Sequence, residues 1–370
     1  MNESRRPLAV YFDDQVFSIH SGGGISRYFV ELMRTFRDHS EFGVQLAGHH
    51  MWTRNDYVVE SGFGRRLPLS PRLAVYPTRL LNRLTWRRSG AQIIHHTYYD
   101  RRYLKRFQDG FLRVVTIVDM IPELFPELFP AGNPHLEKQR YVDEADLVLC
   151  ISESTRRDLL SLYGTPSSPI VVTPLGVDER FKPDLPPLDS LPDRYILFVG
   201  GRRAYKDFDV LAQAFALPRI RADVHLVAVG GGPLASDENG TLVALGVRDR
   251  VQHINLGDHQ LAAAYANAEC FAFPSRYEGF GLPTLEAMAA GCPAVLAASS
   301  AHFEVGGDAA LFFEPGDVDG LAEALASVLE DGDFRQGIVS KGLEHADSFS
   351  WTRTAILTAK AYRQVIEGTQ

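Results

Sequence analysis

Residues 270–295 read CFAFPSRYEGFGLPTLEAMAAGCPAV. A short apolar run leads into a polar loop with two glycines, a helix-forming stretch, a Gly-Cys-Pro turn and a second apolar run. This is the order strand, loop, helix, turn, strand. Strands that are apolar throughout, without alternation, fit a parallel sheet covered on both faces. Pro283 suits the first helical position, where its missing N–H leaves nothing unpaired. The loop Glu278-Gly279-Phe280-Gly281 then lies at a helix N-terminus. Unpaired N–H groups and the positive end of the macrodipole favour a phosphate there, and glycine lets the backbone approach a ligand closely. Glu286 is expected in the first helical turn, so that both it and Glu278 can accept hydrogen bonds from sugar hydroxyls. Glutamate is common, so the spacing of the pair alone carries no information. The information lies in the intervening GFGLPTL and its strand–helix setting.

The same alternation extends on both sides. YILFVG (195–200), HLVAVG (225–230), VQHINL (251–256), PAVLA (293–297) and LFFEP (311–315) read as further strands, with helices at 207–217, 259–268, 284–290 and 317–330. Upstream, LAVYF (8–12), VQLAG (44–48), QIIHH (92–96), RVVTIV (113–118) and LVLCIS (147–152) form a second series, with amphipathic stretches at 26–36 and 152–163. Residues 174–194 carry five prolines and many charges without helical periodicity, which reads as an interdomain linker. Two βα series around a linker predict an α/β chain of two doubly wound parallel sheets, with ligands outside the carboxyl ends of the strands.

Composition sets the outer bounds. At 370 residues the chain holds two domains of ordinary size, and 45% hydrophobic and 23% charged residues describe an ordinary globular protein. Cys150, Cys270 and Cys292 are widely spaced with no CxxC pair, which indicates neither a disulfide framework nor a zinc site and fits a reducing compartment. There is no signal-peptide core and no run near the roughly 20 apolar residues of a membrane span. The net charge of -8 is uneven: residues 1–180 hold 23 basic and 21 acidic residues, the remainder 15 and 25. That pattern does not suggest a nucleic-acid binder.

Arg202 and Lys206 follow the strand YILFVG, and an anion between them would account for two neighbouring cations, as would a solvated loop. Gly22, Gly23 and Gly24 precede a helix, either as a flexible turn or as a ligand loop; the segment is not a P-loop. Asp119 follows RVVTIV and is a candidate catalytic residue, where it can bind the acceptor or a sugar hydroxyl or else cap the next turn. Residues 64–88 interleave seven arginines with Leu, Tyr and Trp. An acceptor-side helix with snorkelling arginines is favoured there over a surface resting on anionic lipid.

The segment 270–295 resembles the donor-site signature of the retaining glycosyltransferases of family 4, which have the GT-B fold. VGGRRAYKDFDVLAQAF (199–215), INLGDHQLAAAYANAECFAFPS (254–275), FEVGGDAALFFEPGD (303–317) and FSWTRTAILTAKAYRQV (349–365) resemble other blocks of that family. So, in the N-terminal half, do VVTIVDMIPELFP (114–126), LCISESTRRDL (149–159) and TPLGVD (173–178). The resemblance implies a GT-B chain of two Rossmann-like domains facing each other across a cleft: residues 1–180 on the acceptor side, 181–348 binding nucleotide-sugar, and a helix in 349–370 returning to the N-terminal domain.

It further implies that Arg202 and Lys206 clamp the donor diphosphate, with Arg203 an alternative to Arg202 in the alignment. Glu278 would contact the transferred sugar, Glu286 the ribose, and the backbone of Gly279, Phe280 and Gly281 the sugar and phosphate. Gly23 and Gly24 would approach the diphosphate from the other domain. Many members read His-Asp where this chain has Val118-Asp119, and His95 and His96 are candidates for the vacated space, His96 as an acceptor or sugar contact. The implied activity is metal-independent, retaining transfer of a hexosyl unit, mannosyl among the candidates. The donor would be a nucleotide-diphosphate sugar and the acceptor a saccharide, a lipid-linked or a small-metabolite molecule, with no cofactor. Asp13-Asp14 is the nearest approach to a metal-binding acidic pair. An epimerase of the same build and a non-catalytic nucleotide-sugar binder are the rivals. The expected location is cytoplasmic, with the arginine-rich segment the candidate for contact with the inner membrane face.

Overall fold

A computed structural model describes residues 6–48, 51–66, 82, 89–105, 110–129, 133–202 and 204–368. The chain forms two compact units, Met1–Gly176 with Trp351–Gln370, and Val177–Ser350.

The first unit contains β1 (Leu8–Phe12), β2 (Val44–Leu46), β3 (Met51–Trp52), β4 (Gly64–Arg65), β5 (Ile93–His96), β6 (Leu112–Ile117), β7 (Leu147–Cys150) and β8 (Ile170–Val172). Six of these form one parallel sheet in the order β2-β1-β5-β6-β7-β8, while β3 and β4 pair separately. Ile93, Ile94, Val114, Val115, Val148 and Leu149 are fully buried, as strands covered on both faces must be. The helix Gly24–Asp38 turns Tyr28, Phe29, Leu32, Met33 and Phe36 inward at helical spacing. The C-terminal helix Trp351–Gly368 packs on it, with Trp351 6.3 Å from the Tyr28 ring and Tyr362 6.2 Å from the Phe36 ring.

A buried polar chain ties that helix to the sheet. The Tyr362 hydroxyl lies 2.6 Å from His95 Nδ1, His95 Nε2 lies 2.8 Å from Thr116 Oγ1, and Thr116 Oγ1 lies 3.2 Å from the Tyr28 hydroxyl. Burial pushes the His95 imidazole down to about 3, so it is neutral and serves this network.

The second unit contains β9 (Tyr195–Val199), β10 (His225–Val229), β11 (Val251–Ile254), β12 (Cys270–Phe273), β13 (Ala294–Ala297) and β14 (Leu311–Phe313), all parallel, in the order β11-β10-β9-β12-β13-β14. The chain runs outward from β9 and returns at β12, so the order reverses between those two strands. The loops after β9 and β12 flank that reversal, where doubly wound sheets hold their ligands. Both sheets are of the doubly wound kind expected from the sequence.

The proline-rich stretch 174–194 contains no helix or strand, yet it is not a free linker. Phe181 is buried against Tyr265, and Arg180 pairs with Asp178 and Asp258. The helix Gly332–Asp347 is absent from the sequence reading; its three glycines and weak apolar periodicity hide it, and the Asp331 side chain caps it through the Phe334 N–H. All three cysteines are free and buried, and burial pushes the Cys150 and Cys270 thiols up to about 12, so they are inert packing groups.

Candidate functional site

The loops after β9 and β12 bring together most of the residues singled out in the second unit. The helix Leu282–Ala289 begins at Gly281, whose φ of +96° favours glycine, and Pro283 lies in its first turn. Phe280 turns its ring inward against Phe349, at 6.0 Å. The N–H groups of Phe280 and Gly281 have no hydrogen-bond partner among the described residues. They lie at the helix N-terminus, ready for an anion.

Lys206 Nζ lies 2.5 Å from Glu278 Oε1, and the ammonium also lies 5.0 Å from the Phe273 ring centroid. The pair joins the two loops across the strand-order reversal. Ser300, held at a φ of +41°, accepts from the Glu278 N–H through its hydroxyl at 2.8 Å and fixes the loop. Glu286 is the fifth residue of its helix, in the second turn rather than the first, and is 3% exposed. The Tyr265 hydroxyl donates to it at 3.3 Å. Its present contacts are therefore interior ones, unlike those of Glu278.

Arg202 differs from its sequence reading. Its guanidinium donates to Glu238 through Nε at 3.1 Å and Nη2 at 3.2 Å, to Gly230 O through Nη1 at 2.8 Å, and to Gly232 O and Pro233 O through Nη2 at 2.8 and 3.1 Å. A guanidinium so committed is not an open clamp. Both cations assigned to the diphosphate thus carry carboxylate partners, Glu238 and Glu278. Arg203 lies outside the described residues.

Sequence reasoning missed His302. It is fully buried, with Nδ1 2.8 Å from Ala297 O and its ring 5.2 Å from that of Phe273. Burial lowers its pKa, although Glu278 opposes the shift. A neutral ring that donates through Nδ1 presents Nε2 as an acceptor, and Nε2 has no partner among the described residues. The nearby Thr284 hydroxyl is likewise buried and without a partner among the described residues; both flank Gly281. The signal available in the sequence was the position of this histidine just after the strand PAVLA.

In the first unit, Gly23 has a φ of +114° as the N-cap of Gly24–Asp38, and a side chain at either Gly23 or Gly24 would meet open space. His96 and Asp13 form a buried pair, Nδ1 donating to Oδ2 at 2.7 Å. Burial raises the Asp13 pKa, but hydrogen bonds from His96, Thr97 and Gln15 outweigh it and hold the carboxyl below its usual range. Asp14 accepts from Asn82, Ser18 and Tyr103. The Asp119 carboxylate accepts from the Ile121 N–H at 3.1 Å, and the buried Lys138 ammonium donates to the Asp119 carbonyl at 2.7 Å and to Glu123 at 2.9 Å. Among the described residues no group of three or more His, Cys, Asp or Glu could hold a metal, and no helix is long and apolar enough to cross a membrane. Arg83, Arg87 and Arg88 of the arginine-rich segment lie outside the described residues.

Two family models match adjacent stretches of the chain: Glycosyltransferase Family 4 over residues 22–181 and Glycosyl transferases group 1 over residues 187–345. O-antigen chain mannosyltransferase B of Escherichia coli is 32% identical over 244 residues, covering 62% of this chain. The chain matches 64% of that relative's length, less than two thirds. Sucrose-phosphate synthase from Thermosynechococcus elongatus superposes with a TM-score of 0.76 at 21% identity, over 98% of this chain and 100% of the other. HepE of Anabaena, solved in complex with UDP and glucose, superposes with a TM-score of 0.72 at 17% identity, over 98% and 99%. At those identities the likeness is one of fold.

Proposed function

The chain belongs to the GT-B glycosyltransferases of the family 4 type, and from that premise we propose that it moves a hexosyl unit from a nucleotide-diphosphate sugar to a hydroxyl acceptor, with retention and without a metal. The observation that carries the reading is the Lys206–Glu278 pair, held at 2.5 Å where the strand order reverses and beside the N-terminus of Leu282–Ala289. A lysine and a glutamate so placed are each other's partners only until a better pair arrives. A diphosphate draws Lys206, and a sugar hydroxyl donates to the released Glu278. As the bond to the sugar breaks, negative charge grows on the leaving diphosphate. The Lys206 ammonium, the N–H groups of Phe280 and Gly281 and the helix dipole are the groups that would stabilise that charge.

The Escherichia coli relative is named a mannosyltransferase, which favours mannose among the hexoses. The acceptor is a saccharide, a lipid-linked molecule or a small metabolite. Glu286, with its carboxylate steadied by Tyr265, would hold the ribose. Free, buried cysteines and a nucleotide-sugar donor suit a cytoplasmic enzyme.

The test is a thermal-shift screen with GDP-mannose, UDP-glucose, UDP-N-acetylglucosamine and ADP-glucose. One of them should raise the melting temperature of the protein, since a ligand at about 100 times its Kd adds about 2.7 kcal/mol. The same compound should fail with Lys206→Met. No shift with any of the four, or an equal shift in the variant, would count against the reading.

A further inference from the structure

We infer that Arg202 is a positioning residue, which shapes the Gly230–Pro233 turn into part of the donor site rather than gripping the diphosphate itself. The inference rests on the donor-site reading above and assigns within it a role that differs from the resemblance.

Gly230, Gly231 and Gly232 follow β10 with φ of +86°, +74° and +76°, a run of left-handed residues that only glycine adopts without strain. Gly230 still donates to Ile254 O at 3.1 Å, but beyond it the N–H groups of the run have no backbone partner among the described residues. Arg202 supplies the missing order. Its fork collects the carbonyls of Gly230, Gly232 and Pro233, while Glu238 holds the fork from the other side and also accepts from the Ala235 N–H at 2.6 Å. His253 Nε2 adds a contact to Gly230 O at 3.2 Å. The turn is pressed against the loop after β9: a Cβ on Gly231 would lie 2.9 Å from Gly200 O, 3.0 Å from Arg202 Nη1 and 3.1 Å from Gly201 Cα.

Turning three carbonyls to one side leaves N–H groups for other partners. Those of Gly231 and Gly232 have none among the described residues, and Gly231 is exposed. Two free N–H groups at the carboxyl end of β10, beside the loop after β9, suit the acceptor atoms of a nucleotide. The side chain of Arg202 is 2% exposed and that of Glu238 9%, and the hydrogen bonds leave the guanidinium little capacity for a ligand. The pair is worth its burial only while both partners remain, so removing either should loosen the turn.

The two roles predict opposite signs for Glu238. A clamp freed from its carboxylate binds an anion more tightly; a scaffold that loses its strut binds less tightly. Titration calorimetry would use UDP, or GDP if the guanine nucleotide is the one that stabilises the wild type, on Arg202→Lys, Glu238→Gln and the double variant, with melting temperatures measured alongside. Each single variant should weaken binding by about tenfold, the loss expected for charged hydrogen bonds in a buried pair. The double variant should be no weaker than the worse single, because both act through one turn. Glu238→Gln binding as tightly as the wild type, or more tightly, would overturn the inference. So would single variants that melt lower yet keep wild-type affinity, since Arg202 would then serve stability alone. Failure of the wild type to bind any nucleoside diphosphate would remove the donor-site reading and this inference with it.

Discussion

Glu278 and Glu286 lie eight positions apart in the chain, but their surroundings differ, which supports the separate roles proposed for them. Glu278 is paired with Lys206, which the proposed donor would draw away, whereas Glu286 accepts from the buried Tyr265 hydroxyl. Glu278→Gln should therefore lower kcat by about a hundredfold with a smaller change in donor KM, as expected for a contact strengthened in the transition state. Glu286→Ala should raise donor KM more than it lowers kcat. It should also cost about 1–3 kcal/mol of stability, because it removes a buried acceptor. Steady-state kinetics with urea unfolding separates the two, and equal effects on both constants in both variants would contradict the division. The sequence made the glutamates and glycines visible through their strand–helix setting. It could not show that Arg202 is occupied, because Glu238 and the 230–233 turn come from a separate βα unit. Nor could it show that Asp119 accepts from the Ile121 N–H and lies beside the buried Lys138, which depends on how the chain turns after β6.

At the scale of elements, the strands were the most legible part, because continuous apolar runs bounded by glycine and proline admit few other readings. The helix Gly332–Asp347 escaped for the converse reason, as its cap and packing outweigh its composition. The C-terminal helix is joined to the sheet through Tyr362, His95 and Thr116, a connection invisible to periodicity. Tyr362→Phe should cost about 1–3 kcal/mol by removing the hydroxyl partner of a buried ring nitrogen. The same histidine gives the first unit a pH dependence. Burial holds His95 at about 3 and His135 at about 4 in the folded state, against 6.5 as the ordinary value. Below pH 6.5 the unfolded chain takes up protons that the folded one refuses, so stability is complete above that pH and declines as pH falls toward 3–4. At pH 5 each histidine should cost about 1–2 kcal/mol relative to pH 7. Urea midpoints at the two pH values check this, and His135→Gln should flatten the difference. A protein equally stable at pH 5 and 7 would show that these rings are not held neutral.

Two proposals belong to the whole molecule and to no single element: transfer needs no metal, and the chain turns its donor over rather than only binding it. Asp13 and Asp14, the acidic pair nearest to a metal motif, have their oxygens taken by His96, Thr97, Gln15, Asn82, Ser18 and Tyr103. Donor turnover should accordingly survive EDTA; loss that Mg²⁺ or Mn²⁺ restores would make those aspartates and Asp119 the residues to examine. The most direct measurement is nucleoside diphosphate release from the nucleotide-sugar that stabilises the protein, with and without a hydroxyl acceptor such as mannose or a methyl mannoside. The acceptor should accelerate release, and Lys206→Met and Glu278→Gln should each reduce it by about a hundredfold or more. A donor that binds but yields no nucleoside diphosphate, or is converted to an epimer with its diphosphate bond intact, would contradict the proposed transfer.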